Sequence, residues 1–455
     1  MSSSQANAPS RSLPIAQDEQ AVRRLAVGEV FQGMPLTARH WLLGTALFIA
    51  FVIEAWEMMV MVLSGGLISV DLRLTTTQLG TLLSALYVGM IPGALIWGKI
   101  TDNLGRKRVI IAGLALYGVF SLISAFSTTY SVLWWTRFVS GLALSGVLVA
   151  PFILLEELLP IRHRGRGAVC LAAGWPVGLL LAIGVVHLLH EQGWHIILGV
   201  SSLVGFWALV IAAFVPESPY WACAKGQPEV AIRSLKTIGG PDVLPAGKFE
   251  LYVDNYEQGQ FRHLLERGLL RPTLLQFAVN TVLSFSTWGL ATWLPALLTA
   301  RGLSRVQGDL FLVYTCVPML PGYIAASWAT GRFGRKPVMG WFLSLAAASG
   351  FWLAFSYSNA ALYLAATGYY FFNQGAWGVW DTWMAEIYPT SVRGVGYSAG
   401  LAVQRVANAA APVVIAVLLT NHAGFSYTVA FISAFLIVTV AITLFLPETE
   451  GIALT

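Results

Sequence analysis

Twelve long apolar stretches, each closed off by a polar one, run along the chain from about residue 41 to residue 446. They fall near 41–66, 78–99, 108–128, 131–155, 167–189, 195–215, 272–299, 307–330, 337–357, 360–385, 396–420 and 425–446. About 20 apolar residues at 1.5 Å rise cross the hydrocarbon of a bilayer. The pattern predicts an all-α membrane protein with twelve transmembrane helices in two pseudo-symmetric six-helix bundles. One long polar stretch divides them six and six. The organisation is an N-terminal arm (1–38), a first bundle (39–215), a linker (216–270), a second bundle (271–447) and a tail (448–455). The Ser-rich start of the arm reads as disordered. Residues 18–33 read as a short amphipathic surface helix, and the linker as short helices and turns.

Composition narrows the class. Hydrophobic residues make up 56% of the 455 and charged residues 11%, against about 25% charged in a soluble domain. The formal charge of +5 does not point to nucleic acid, because the basic residues are sorted by side. Of 27 Lys and Arg, 22 fall in the arm, the linker and the loops on one face. Arg73, Arg301 and Arg305 fall on the other, and Arg137 and Arg405 lie inside helices. The positive-inside rule then puts both termini in the cytoplasm, beneath a bacterial inner membrane or a plasma membrane. No early apolar core of a signal peptide is visible. Cys170, Cys223 and Cys316 are scattered, without metal or disulfide spacing. With no P-loop, no Gly-x-Ser-x-Gly and no clustered metal ligands, neither an enzyme nor a cofactor is expected. His187, His190 and His195 read as wet residues at the end of the fifth helix and the loop after it.

The chemistry lies where the apolar pattern is interrupted. Glu54 and Glu57 sit i, i+3 on one face of the first helix. A charge at membrane depth costs a few kcal/mol unless paired, wetted or protonated, so this helix is expected to line a polar cavity. Arg405 lies about nine residues, or roughly 13 Å, into the eleventh helix. Its planar fork suits a carboxylate, and Asn408 follows one turn on. The seventh helix sets Gln276, Asn280, Ser284 and Thr287 on one stripe beside Trp288. The tenth sets Asn373, Gln374, Trp377 and Asp381 on another. Trp175 lies in the fifth. Amides beside indoles suit a flat, polar-edged ligand. Asp381 fits either that site or a gate.

The two halves share a motif. Gly98–Arg108 (GKITDNLGRKR) follows the second helix and Ser327–Pro337 (SWATGRFGRKP) the eighth. A duplicated unit with substrate held near the midplane follows. The loop Gly98-x-x-x-Asp102-x-x-Gly105-Arg106-Lys107-Arg108 resembles the signature of the major facilitator superfamily. Three further stretches resemble its sugar-porter-like branch, which also holds organic-anion, organic-cation and aromatic-acid transporters. They are Arg137-x-x-x-Gly141 through Glu156-Glu157-x-x-Pro160-x-x-x-Arg164-Gly165, then Pro216-Glu217-Ser218-Pro219-Tyr220-Trp221, and Glu386-x-Tyr388-Pro389-Thr390-x-x-Arg393-Gly394. The departures are Gly331 where the first loop has Asp102, and Tyr220 where the branch carries Arg.

The resemblance implies the major facilitator fold and secondary active transport by alternating access. It implies a cytoplasmic gate of Asp102, Arg106, Arg108, Glu156, Arg164, Glu217, Arg335, Glu386 and Arg393. It implies that Glu57, facing Arg137, carries a coupled proton; Glu54, which the resemblance does not match, reads either as a second acid of the relay or as a hydrogen-bond acceptor for the substrate. Substrate contacts are expected from Arg405, Asn408, Gln276, Asn280, Trp288, Asn373, Gln374, Trp377 and Trp175. A basic residue at the place of Arg405 favours an organic anion. The expected function is proton symport of a small organic acid, aromatic acids included. A proton-coupled sugar or polyol transporter, with Arg405 idle, and an exporter of organic cations, with Glu54 and Glu57 as ligands, are the alternatives. The expected partners are the substrate, protons and the bilayer. One chain holding both halves is expected to work as a monomer.

Overall fold

The computed structural model describes residues 23–449 except 246–248, 254–260, 267, 390–391 and 422–423. The Ser-rich start, Thr390 of the tenth-helix motif and the end of the tail lie outside the described residues. The chain enters through β1 (Arg23–Ala26) and α1 (Val27–Gly33). The first bundle holds α2 (Ala38–Asp71), α3 (Thr76–Leu104), α4 (Arg106–Ala125) and α5 (Tyr130–Leu158). Its fifth crossing is α6 (Arg164–Ala172) continued by α7 (Gly174–Leu189), and its sixth α8 (Trp194–Ser202) continued by α9 (Trp207–Phe214). The linker carries α10 (Pro219–Ala224), α11 (Pro228–Gly239) and β2 (Phe249–Tyr252). The second bundle holds α12 (Leu270–Ala300), α13 (Arg305–Phe333), α14 (Arg335–Ala354), α15 (Asn359–Glu386), α16 (Arg393–Thr420) and α17 (Phe425–Thr443).

Among the described residues, eleven crossings are long and apolar enough to span a membrane. The twelfth is α15, 28 residues long. Its indoles, tyrosines and amides lower its hydropathy, and it is packed between α13, α14 and α16 rather than bathed in lipid. The polar stripe read in the tenth apolar segment is thus what sets it apart.

The halves repeat down to their caps. α3 opens on Thr75-x-x-Gln78 and α13 on Ser304-x-x-Gln307. In each, the cap hydroxyl takes an amide of the first turn while the glutamine reaches back to the cap N–H. Both helices end on a glycine with positive φ, Gly105 at 97° and Gly334 at 89°, a conformation other residues adopt only under strain. α3 and α5 touch backbone to backbone, so a Cβ at Gly89 would overlap the carbonyl of Phe138.

The halves meet along α3 with α16, α7 with α13 and α2 with α12. On the side away from the linker the contact is tight. Gly80 abuts Ala416 and the carbonyl of Pro412, and the hydroxyls of Thr77 and Thr420 lie 3.4 Å apart. His187 Nδ1 meets Asp309 Oδ2 at 2.7 Å, and Arg305 donates to the carbonyl of Val186 at 3.3 Å. His187 is therefore a bond between halves rather than simply a wet surface residue.

The hydropathy pattern predicts no strand, yet β1 and β2 pair in parallel, Arg23 opposite Phe249 and Ala26 opposite Tyr252. A short helix does form within the stretch expected to be amphipathic, but only over Val27–Gly33, where Val27 and Phe31 are buried.

Candidate functional site

A cavity of about 940 Å³ lies between the halves. α2 gives it Phe51, Glu54, Met58 and Met59, α5 gives Phe152 and Glu156, and α7 gives Trp175. From the second half come Thr287 and Trp288 of α12, Tyr323 of α13, the α15 stripe, and Tyr397 and Arg405 of α16. The cavity continues past Glu156, Glu386 and Arg393, toward the linker side. Of the expected substrate contacts it collects Arg405, Trp288, Asn373, Gln374, Trp377 and Trp175. It also collects Glu54 and Asp381, and the second of these is exposed to the cavity.

Arg405 is the centre of charge. It is 6% exposed, and the charges of Glu54 and Asp381 act on it from within the cavity. Neither reaches it as an ion pair among the described residues. What holds the guanidinium is Asn408. With its amide turned to suit its neighbours, the Asn408 oxygen accepts from Arg405 Nη1 at 3.1 Å and from Trp288 Nε1 at 3.2 Å, and its nitrogen donates to the Gln404 carbonyl at 3.0 Å. Asn408 does not line the cavity. It stands behind Arg405, which corrects its expected place among the substrate contacts.

The aromatic wall is built across the halves. Trp288 lies edge-to-face with Trp175, centroids 5.3 Å apart, and tilted against Tyr87 at 5.4 Å. The amides beside it are already engaged. Asn373 Nδ2 donates to Thr287 Oγ1 at 3.3 Å, Trp377 Nε1 donates to the same hydroxyl at 2.9 Å, and Gln374 Nε2 donates to Tyr323 Oη at 3.4 Å.

Two further residues of the expected substrate site lie outside it. Gln276 and Asn280 are fully buried and absent from the cavity wall. Gln276 accepts from Tyr388 Oη at 2.6 Å and donates to the Gly396 carbonyl at 3.3 Å. Asn280 accepts from Trp380 Nε1 at 3.1 Å. The periodicity of the α12 stripe is real, but its lower half faces α15 and α16 across a packed seam. Only Thr287 and Trp288 continue it into the cavity.

Glu57 and Arg137 form a separate, fully buried centre inside the first half. Arg137 donates to Ser124 Oγ at 3.1 and 2.7 Å and to Tyr117 Oη at 3.4 Å. Its charge acts on Glu57, whose two oxygens meet no well-placed donor among the described residues. The neighbouring Trp56 indole donates to Ser201 Oγ at 3.0 Å. Glu57 does not line the cavity, while Glu54, one turn earlier, does.

On the linker side two matching clamps close the helix ends. In the first half Arg106 pairs with Glu157 at 3.1 Å, and Glu217 accepts the amides of Arg106 and Lys107 at 2.9 and 3.1 Å. In the second half Arg335 grips Glu386 with two bonds of 2.9 and 2.8 Å, and Glu448 accepts the amides of Arg335 and Lys336 at 3.0 and 2.9 Å. Each distant carboxylate thus caps a helix N-terminus. Arg106, Glu217, Arg335 and Glu386 sit where the motifs place them. Glu156 faces the cavity and its neighbour Glu157 takes the clamp, a matter of helical phase. Arg164 donates to Tyr220 Oη at 2.8 Å and lies over its ring at 5.4 Å, so Tyr220 has a specific partner. Asp102 offers its carbonyl to Trp221 Nε1 at 3.0 Å. Arg108 is exposed and outside the clamp. Glu448 was hidden in what reads as a tail. Its signal is the recurrence of Pro-Glu-Ser at 216–218 as Pro-Glu-Thr at 447–449.

A family model described as "Sugar (and other) transporter" matches residues 33–455. The chain is 30% identical to the niacin transporter NiaP of Acinetobacter baylyi over 427 residues, covering 92% of this chain and 97% of that one. It is 27% identical over 392 residues to the 4-hydroxybenzoate transporter PcaK of Pseudomonas aeruginosa, covering 85% and 87%. Its fold matches a partially occluded inward-open structure of the xylose transporter XylE from E. coli with a TM-score of 0.74 at 17% identity, over 92% of this chain and 100% of that one.

Proposed function

We propose that this chain, which belongs to the sugar (and other) transporter family and is a multi-pass membrane transporter of the major facilitator superfamily, carries a small aromatic acid across its membrane together with a proton. The observation that carries this reading is Arg405: one guanidinium at the cavity wall, held from behind by Asn408 and without a carboxylate partner among the described residues. A planar, permanently charged fork with free N–H groups is matched by a carboxylate. Trp175 and Trp288 offer the ring an apolar face. Two relatives named for aromatic acids, niacin and 4-hydroxybenzoate, support the class. A sugar would need amides free to bond hydroxyls, and Asn373 and Gln374 donate to protein hydroxyls instead.

In this reading Glu57 carries the proton and Arg137 tunes it, out of contact with the substrate. The chain works as a monomer with both termini in the cytoplasm, and substrate moves inward. Tight contact away from the linker and a cavity running to Glu156, Glu386 and Arg393 correspond to one end of an alternating-access cycle. The test is uptake by the purified, reconstituted protein of labelled aromatic acids, sugars and organic cations, with and without an inward proton gradient. Gradient-stimulated uptake of an aromatic acid, lost in Arg405→Ala and uncoupled from the gradient in Glu57→Gln, is the expected result. Uptake of a sugar or cation that ignores Arg405 sinks the reading.

A further inference from the structure

We infer that Asp381 is the internal counterion of Arg405: it faces the guanidinium while the carrier is unloaded, yields it to the substrate's carboxylate, and so permits the unloaded carrier to return. This rests on the reading of Arg405 as the group that binds an organic anion, and adds the step that closes the cycle.

A guanidinium keeps its charge at every pH a cell meets. Arg405 is 6% exposed at the wall of the cavity between the halves. Alternating access takes it through a closed intermediate in which the cavity is shut off from both faces. A charge at membrane depth is costly there unless another charge pairs with it. In the loaded carrier the substrate's carboxylate is that partner. In the unloaded carrier the protein has to supply one.

Two carboxylates of the cavity wall act on Arg405 by charge, Glu54 and Asp381. They are not equivalent. Glu54 stands on α2 in the first half, so it parts from Arg405 as the halves swing. It also has a neighbour of its own, the buried and unpartnered hydroxyl of Tyr87 on α3. Asp381 stands on α15, which packs against α16 inside the second half, so it travels with Arg405 through the whole cycle. Glu54 is 1% exposed, whereas Asp381 is open to the cavity. Asp381 forms no ion pair among the described residues. Tyr397 lies eight residues before Arg405 on the same face of α16. It lines the cavity and feels the charges of both Asp381 and Arg405. Asp381 and Arg405 thus share one strip of open wall, in reach of each other's field and separable by a ligand.

The charge balance supports the assignment. Arg405 and Asp381 cancel in the unloaded carrier. An organic anion adds one negative charge and the proton on Glu57 adds one positive, so the loaded carrier crosses with the same net charge as the unloaded one. Neutralising Asp381 leaves the loaded crossing with a partner for Arg405 and removes it from the return.

The test separates the two crossings in liposomes holding the purified full-length protein. Labelled benzoate, 4-hydroxybenzoate and pyridine-3-carboxylate are the probes. Net uptake into vesicles without internal acid, under an inward proton gradient, needs the unloaded return. Exchange of label against the same unlabelled acid inside, at equal pH, does not. Asp381→Asn is expected to slow net uptake at least about tenfold and to leave exchange within about twofold. Asp381→Glu keeps the charge and should keep both modes. Equal loss of both modes in Asp381→Asn marks a substrate contact or a structural role and overturns the assignment, as does net uptake that ignores the change. Either result leaves the aromatic-acid reading intact, because the unaltered protein still carries an acid. Transport of none of the three acids by the unaltered protein overturns both. Should Asp381→Asn not fold, Asp381→Ser carries the same expectations.

Discussion

Asn408 never touches the cavity, yet two of its three hydrogen bonds fix groups that do, Arg405 and Trp288. Asn408→Ala is expected to leave the fold intact and to weaken substrate binding about fivefold, the equivalent of one hydrogen bond of about 1 kcal/mol. KM in the uptake assay should rise with little change in maximal rate. Trp288→Phe keeps an aromatic face but loses the pyrrole half of the indole with its N–H, so KM should rise there too. Away from the bilayer, burial pushes the Cys223 thiol up to about 11. Maleimide labelling of this residue should be slow at neutral pH and quicken about tenfold per pH unit toward that value, since the thiolate is the reactive form. At this scale the sequence showed which residues were expensive, because an ionised side chain within an apolar run is visible without a structure. It did not show their partners. Glu54 and Glu57 share a face and still diverge, one into the cavity and one toward Arg137. Adjacent Glu156 and Glu157 part in the same way.

Among elements, the two helix-capping carboxylates make a matched experiment. Glu448 does for α14 what Glu217 does for α4, accepting two first-turn amides from more than 100 residues away. Glu448→Ala and Glu217→Ala should each lower stability by about 1 kcal/mol, as loss of a helix cap does, visible as a drop in melting temperature. Gly334→Ala should cost at least as much, since it forces a Cβ into the positive-φ position and against Glu448. The helices themselves were legible almost to their ends, because a lipid-crossing segment must be long and apolar. The α12 stripe misled at Gln276 and Asn280 because polar periodicity marks any face turned from lipid, whether it meets a cavity or another helix. The strands were invisible, since four residues pairing with a partner more than 200 residues away leave no periodic trace.

For the whole molecule, the seal on the side away from the linker rests on small residues. Gly80 fits against Ala416 and Pro412 only because it has no side chain. Gly80→Leu should hold the halves apart there and abolish uptake in a protein that still folds. A disulfide formed between Thr77→Cys and Thr420→Cys, in a background lacking the three natural cysteines, should lock the seal, stop uptake, and release it on reduction. The 3.4 Å between the two hydroxyls makes the bond feasible.

The small parallel ladder of β1 and β2 has a mechanical meaning. It fastens the linker as far as Tyr252 to the segment that leads into α2, and Arg39 adds bonds to the carbonyls of Lys236 and Thr237. From Phe261 onward the linker belongs to the second half, where the Leu264 carbonyl accepts from Thr273. Eight residues therefore lie between the two moorings. The linker up to Tyr252 thus rides with the first half and the part from Phe261 with the second, so each half carries its own share of the linker when the two move.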